Sequence, residues 1–346
     1  MNEELEKLLR NNLKNRQPYS SARDAFKLPA EIFLDANENP FETGMNRYPD
    51  PHQNKLKEKI AQVRGVQKEN VFIGNGSDEV LDLLFRAFCE PRTDNVIIMP
   101  PTYGMYETLA EINDVQCRKA PLNEDFSLSA DKVLQQVDDH TKIIFLCSPN
   151  NPTGNTLDKK EIERLFKETA ALIVIDEAYI DFSTKKSFLK KLDQYPRLAV
   201  VQTLSKAWGL AGLRLGLGFA SREIVLILDG IKPPYNVNTY SQQKAMESLG
   251  NPGETARKIA VLQSEKEKMQ KALEQLPGVS RIFPSDTNFL LVEIKNATKI
   301  YQELINKGIV LRNRSGMMYC KECLRITIGT PEENKRLLDE LTMLSS

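Results

Sequence analysis

The chain has only two histidines, His52 and His140, among its 346 residues. That scarcity argues against a histidine-rich metal site and against most histidine-based hydrolase schemes. It also lacks an excess of either charge, since 47 lysines and arginines balance 47 aspartates and glutamates. The basic footprint of a nucleic-acid-binding protein is therefore missing. No apolar run approaches the ~18 residues of a membrane span, and stretches such as Ala170 to Ile175 are short. The first residues, MNEELEKLLRNN, alternate charge with leucine and lack the apolar core and cleavage site of a signal peptide. Five scattered cysteines, an odd number, suit a reducing compartment. The expectation is a soluble cytoplasmic protein with no membrane or nucleic-acid partner.

What is present is a globular composition, 41% hydrophobic and 27% charged. At roughly 150 residues per domain, the length suggests two domains, or one large domain with an appendage. From about residue 52, helix-period segments (53–63, 78–89, 103–112, 128–137 and 158–169) alternate with β-branched runs. Those runs are VFI (71–73), NVIIM (95–99), KIIFLC (142–147), ALIVID (171–176), LAVVQT (198–203) and LGLGFA (215–220). They are apolar throughout rather than alternating, as strands covered on both faces must be. The pattern predicts an α/β fold, a mainly parallel sheet wrapped by helices, over residues 51–250. After NPGE at 251, a long polar helix to about 275 precedes strand-like runs at 279–283, 288–294, 308–312 and 324–329. Helices are expected near 297–306 and 331–345, giving a smaller α+β domain over 251–346. Residues 1–50 show no such alternation and read as an arm that packs on something else.

The strongest local signal is S-K-A-W-G-L-A-G-L-R-L-G (205–216), just past the run LAVVQT. Open α/β sheets bind ligands at the carboxyl ends of their strands. A lysine desolvated there can form Schiff bases with carbonyls, so Lys206 is a candidate nucleophile. Arg214 could return to a phosphate beside the Ser205 hydroxyl. D-E-A-Y (176–179) closes another buried run, where Asp176 could face a ring nitrogen or simply cap a helix. S-P-N-N-P-T-G (148–154) offers Asn151 from a rigid turn. G-N-G-S-D-E (74–79) is a glycine turn feeding a helix N-terminus, a ready phosphate site. It is not the G-x-G-x-x-G dinucleotide fingerprint, because Glu79 occupies the sixth position. Tyr103 in P-P-T-Y-G supplies an aromatic face. Together these are the parts needed to hold an aromatic aldehyde phosphate.

Other patterns carry no weight. Cys320 and Cys323 form C-x-x-C without a second pair or a nearby histidine, so no metal site is expected. Ser183 and Lys186 spell S-x-x-K without its companion motifs. Two N-x-S/T sequons, at Asn75 and Asn296, occur without a secretion signal.

The spaced set N-G-S-D-E, S-P-N-N-P-T-G, D-E-A-Y and S-K-x-x-G-L-A-G-L-R resembles the fold-type I pyridoxal-phosphate aminotransferases. L-D-A-N-E-N-P-F (34–41), R-Y-P-D-P (47–51), P-Y-S-S-A-R (18–23) and L-R-I-T-I-G-T (324–330) resemble the histidinol-phosphate branch of that family. The resemblance covers nearly the whole chain. It implies pyridoxal 5'-phosphate as cofactor and transamination of histidinol phosphate with 2-oxoglutarate, giving imidazole acetol phosphate and glutamate. Lys206, Asp176 and Tyr179 would be catalytic, with Lys206 as the Schiff-base lysine and Asp176 pairing with the pyridine nitrogen. Asn151 and Tyr179 would meet the phenolic oxygen, and Tyr103 would stack on the ring. Gly76 and Ser77, through backbone amides, would hold the phosphate with Ser205 and Arg214. Tyr48 would reach it from a partner subunit, implying a homodimer. Arg325 would bind the anionic end of the substrate, and Tyr19 and Asn37 would line its pocket. The chain departs from the family after Phe41, where E-T-G-M leads directly to Asn46 in place of a longer loop. The alternatives on the same scaffold are a lyase decarboxylating an amino-acid phosphate, an aromatic aminotransferase, and a cofactor-binding regulator without turnover.

Overall fold

The computed structural model describes residues 3–16 and 31–345. The six apolar runs of the first two-thirds all become strands. They are β1 (Val71–Asn75), β2 (Asn95–Ile98), β4 (Thr141–Cys147), β5 (Leu172–Asp176), β6 (Leu198–Thr203) and β7 (Leu215–Ala220). A strand the sequence does not announce, β3 (Gln116–Lys119), completes a seven-stranded sheet of order β1-β7-β6-β5-β4-β2-β3. Its residues QCRK are only partly buried, because β3 is an edge strand pairing with β2 alone. Pairs β2–β3, β2–β4, β4–β5 and β5–β6 are parallel, whereas β7 runs antiparallel to both β1 and β6. The sheet is thus mainly parallel with one reversed strand.

Alternation along the central strands feeds two cores. Ile144, Leu146, Ile173, Ile175 and Val200 face one, packed with Leu56, Ile60, Ile162 and Leu165. Ile143, Phe145, Leu172, Val174 and Val201 face the other, packed with Val80, Leu81, Leu84 and Phe88. Burying each such side chain contributes about 1.5–3 kcal/mol. Both faces are covered, which is why these segments contain no polar alternation. The helices start where short polar side chains can hold the first amides. Ser129, Asp158, Ser221 and Asn238 each accept a bond from a backbone N–H two or three residues on.

The second sheet has the order β10-β11-β9-β8, all antiparallel, with β8 (Val279–Ile282), β9 (Phe289–Ile294), β10 (Arg312–Asn313) and β11 (Cys323–Thr327). Leu290, Val292, Leu324 and Ile326 bury one face with Met269, Leu304 and Leu341 from the three flanking helices. The run expected as a strand at 308–312 pairs only at its end. Gly308 turns with φ +75° and Val310 is exposed, so the backbone before Arg312 stays outside the ladder. Bonds that tie this unit to the large one include the Asp286 N–H on Gly154 O at 2.8 Å, Thr156 Oγ1 on the Asp286 carboxylate at 2.5 Å and Gln263 Nε2 on Phe182 O at 3.0 Å. The alternation along the sequence predicts no helix at Arg222–Ile231 or at Thr239–Leu249, and the structure forms one at each.

Candidate active site

The parallel strands release their loops at one edge of the large sheet. From β2 comes Tyr103, from β4 Asn151, from β5 Asp176 and Tyr179, and from β6 Ser205 and Lys206. Because β7 runs the opposite way, its first residue lies at this same edge, and Arg214 immediately precedes it. β1 delivers Gly76 and Ser77 at the start of the helix Ser77–Phe88. A cleft of about 590 Å³ is lined by Ser77, Tyr103, Asn151, Asp176 and Tyr179, and by Ser205, Lys206, Arg214 and Arg325. Residues from five motifs and from the second sheet therefore meet in one place.

Asp176 is the last residue of β5, flanked by Cys147 and Val201 on neighbouring strands. It is buried, and burial pushes its carboxyl up to about 6. Two donors oppose that rise: the Tyr106 hydroxyl on Oδ2 at 2.8 Å and the Ala178 N–H on Oδ1 at 3.0 Å. Glu177, the next residue, points to the other side of the sheet. There it accepts from Ser187 Oγ (2.5 Å), Phe188 N–H (2.7 Å) and Gln202 Nε2 (2.9 Å). Of the two adjacent acids, one serves the cleft and the other anchors a loop.

Lys206 Nζ lies 5.8 Å from the centroid of the Tyr179 ring. Its ammonium is held below the usual lysine range, first by desolvation between the cleft walls and second by the Arg325 charge. At the other end of this loop the backbone is packed tightly. A Cβ on Gly216 would lie 2.1 Å from the Ser77 nitrogen, and one on Gly76, at φ +86°, would lie 2.6 Å from Arg214 Nη2. The Gly76–Ser77 turn is therefore sandwiched between β7 and the guanidinium. Arg214 adopts the left-handed region (φ 54°) and sits 4.0 Å from Asp78, whose Oδ1 accepts from the Tyr103 hydroxyl at 3.1 Å. A helix N-terminus, a guanidinium and two serine hydroxyls converge here, a donor set suited to a phosphate.

The opposite wall is cationic. Arg312 of β10 stands directly across from Arg325 of β11, and Arg314 follows two residues on. Like charges on opposed positions of one ladder destabilise it unless an anion intervenes. The Nε atoms of Arg314 and Arg325 are buried without a hydrogen-bond partner. Desolvation lowers both guanidinium pKa values. Arg325 also donates through Nη1 to Asn151 Oδ1 and lies over the Phe289 ring at 5.2 Å. Arg312, Arg314 and Tyr106 are functional candidates that only the structure brings out. R-x-R at 312–314 ahead of L-R at 324–325 was the available signal for the first two; the third had none beyond an aromatic in a helix.

Two expected residues lie elsewhere in this chain. Asn37 and Tyr48 line a separate cavity with Arg47 and Tyr240, and Tyr48 stacks on Tyr235 at 4.4 Å. Asn37 is thus apart from the Lys206 cleft of its own chain, because Glu38 ties its segment to Arg47 and the Tyr48 N–H. Tyr19 lies outside the described residues.

The chain is similar to known proteins over nearly its whole length. Residues 19–341 match the family described as Aminotransferase class I and II. The chain is 52% identical over 338 residues to the histidinol-phosphate aminotransferase of Parabacteroides distasonis, covering 98% of each chain. It shares its fold with the crystal structure of histidinol-phosphate aminotransferase from Clostridium acetobutylicum. The TM-score there is 0.80 at 23% identity, over 87% of this chain and 91% of that one. It also superposes on the Sinorhizobium meliloti histidinol-phosphate aminotransferase in complex with pyridoxal-5'-phosphate. That match has a TM-score of 0.79 at 21% identity, over 86% of this chain and 83% of that one.

Proposed function

The chain belongs to the class I and II aminotransferases, and from that premise we propose that it transfers the amino group of L-histidinol phosphate to 2-oxoglutarate with pyridoxal 5'-phosphate as cofactor. The observation that carries this reading is one cleft holding a lysine with a lowered pKa, a buried carboxyl and four arginines. The residues fit the cofactor on their own chemistry. The Gly76–Ser77 turn with Arg214 suits its phosphate, Asp176 suits its ring nitrogen, and Lys206 suits its aldehyde.

Bound there, pyridoxal phosphate supplies a carbonyl that receives the amino group and a ring that takes up the electron pair released at the substrate Cα. The protein supplies placement and proton control. Asp176 as carboxylate holds the proton on the ring nitrogen. Lys206 Nζ removes the Cα proton and returns it as general base and acid, and its lowered pKa leaves more of it unprotonated for that task. Tyr179 and Asn151 would hold the phenolic oxygen, Tyr103 would offer its face to the ring, and Ser77, Ser205 and Arg214 would hold the phosphate.

Arg325 holds the anionic end of either substrate, since a guanidinium fork suits phosphate and carboxylate alike. Its bond to Asn151 links that anion to the group that orients the cofactor. The surplus of cations, with Arg312 and Arg314 beside it, favours a doubly charged phosphate ester over a singly charged amino acid. In a homodimer, Tyr48 of one protomer would complete the phosphate site of its partner, and the enzyme would work in the cytoplasm. No helix among the described residues is long and apolar enough to cross a membrane.

The test is a single half-reaction. Cofactor-loaded protein mixed with histidinol phosphate and no keto acid should lose its yellow absorbance, and 2-oxoglutarate should restore it. An unchanged band with histidinol phosphate, alongside bleaching by threonine phosphate or phenylalanine, would overturn the substrate assignment.

A further inference from the structure

Beneath the cleft, Tyr106 is fully buried on the helix Met105–Ile112. Its ring is stacked on Phe145 (centroids 5.0 Å apart, 12° between planes) and meets the edge of Tyr103 (5.6 Å, 87°). These contacts leave the ring one orientation, and in it the hydroxyl donates to Asp176 Oδ2. The other carboxylate oxygen is taken by the Ala178 N–H. Two fixed donors, one on each oxygen, set the plane of the carboxylate and leave its remaining lone pairs for the cleft. We propose that Tyr106 is a positioning residue of the cofactor site, whose buried hydroxyl fixes the orientation and the charge of the Asp176 carboxylate that meets the cofactor's ring nitrogen. The inference rests on the cofactor assignment made above.

The surroundings of Asp176 leave this role to Tyr106. The titratable groups facing it are Cys147 on β4, Asp78 on the helix Ser77–Phe88, Tyr103, Tyr179, and Lys206 after β6. Burial and Asp78 disfavour the carboxylate; the Lys206 charge favours it, but less than the two hydrogen bonds do. Of those two, the bond from Tyr106 counts for more than the one from the Ala178 amide, and only Tyr106 can be changed without rebuilding the backbone. A neutral Asp176 cannot pair with a protonated pyridine, so losing the hydroxyl should weaken cofactor binding at neutral and acid pH alone.

The experiment titrates the apoprotein with pyridoxal phosphate between about pH 5.5 and 8.5, reading the single tryptophan, Trp208, two residues past Lys206. Tyr106→Phe keeps the ring and removes the hydroxyl. If the Asp176 midpoint rises by about one unit, the variant binds about five-fold more weakly than wild type near pH 6, and the two curves converge near pH 8.5. Parallel curves with a constant offset would mean a merely structural hydroxyl and would overturn the proposal. In an Asp176→Asn background, adding Tyr106→Phe must leave the pH dependence unchanged; a further shift there also overturns it. Should Tyr106→Phe fail to fold, 3-fluorotyrosine at position 106, a stronger donor of the same shape, must move the midpoint down, and an unmoved or raised midpoint refutes the role. Failure of the wild-type chain to bind the cofactor at any pH would instead remove the assignment on which the proposal stands.

Discussion

Gly216 and the backbone of Ser77 leave no room between them for a methyl group: a Cβ on the glycine would fall 2.1 Å from the Ser77 nitrogen. Gly216→Ala must therefore push the phosphate-side turn out of place or part β7 from β1. Overpacking of this kind costs about 1–3 kcal/mol. The variant should melt several degrees lower and bind pyridoxal phosphate at least about ten-fold more weakly. Gly212→Ala is the control, because open space surrounds Gly212. Equal behaviour of the two variants in melting and cofactor titration would refute the cradle.

Asp176→Asn should separate stability from function. In the apoprotein the Asp176 carboxyl titrates at about 6, above its ordinary 3.8. Between those values the folded state holds the extra proton, so stability falls as pH rises through that window, by up to about 3 kcal/mol. Asparagine removes this slope. The apo variant should match or exceed the wild-type melting temperature at pH 7, and the gap should close toward about pH 4. Turnover should fall by more than about a hundred-fold, since losing a charge-assisted bond costs 1.5–3 kcal/mol before the change in ring protonation is counted. A rate within a few-fold of wild type would end the role assigned to Asp176.

Glu177, its neighbour, predicts the reverse. Glu177→Ala strands the Ser187 hydroxyl, the Phe188 amide and the Gln202 side chain, each orphaned donor costing about 1–3 kcal/mol. Denaturant unfolding should show a severe loss of stability, while kcat per folded molecule stays within a few-fold. A variant as stable as wild type would show that this carboxyl anchors nothing.

The arginines should split by substrate. Arg325→Gln removes the fork assigned to both substrates and should raise KM for histidinol phosphate and for 2-oxoglutarate by about ten-fold or more. Arg314→Gln should raise KM for the phosphate ester by about ten-fold and spare the keto acid. Identical effects of Arg314→Gln on both would assign it no part in selecting the double charge.

The proposed sharing of sites between two protomers makes a further expectation. Lys206→Ala and Tyr48→Ala chains, each weak alone, should regain activity when unfolded and refolded together, because one site in each hybrid carries both native residues. No recovery in a mixture shown by mass to contain hybrids would exclude Tyr48 as the partner's contribution.

Much of this was legible in advance for a physical reason. The central strands are covered on both faces, so LIVID and LAVVQT cannot be read as anything amphipathic, and the groups at their ends stand out as the first polar residues after each run. β3 escaped because an edge strand needs no apolar run. Arg312 escaped because GIVLR resembles a buried strand, yet only Arg312 and Asn313 join the ladder. Tyr106 escaped for a different reason. Its partner is 70 residues away, and a tyrosine inside an amphipathic helix looks the same whether its hydroxyl meets a carboxylate or solvent.

The reversal of β7 has a mechanical corollary. The excursion that begins with Ser205 and Lys206 and ends with Arg214 is closed at its neck by the Leu204 N–H on Leu215 O at 3.1 Å, and again by the Leu210 N–H on Leu204 O at 3.0 Å. The amine assigned to one end of the cofactor and the guanidinium assigned to the other thus belong to a single short loop. That loop acts as a caliper whose gap is set by two adjacent strands. Arg312, Arg314 and Arg325, by contrast, come from the second sheet, so the anion end of the cleft is built independently of that gap.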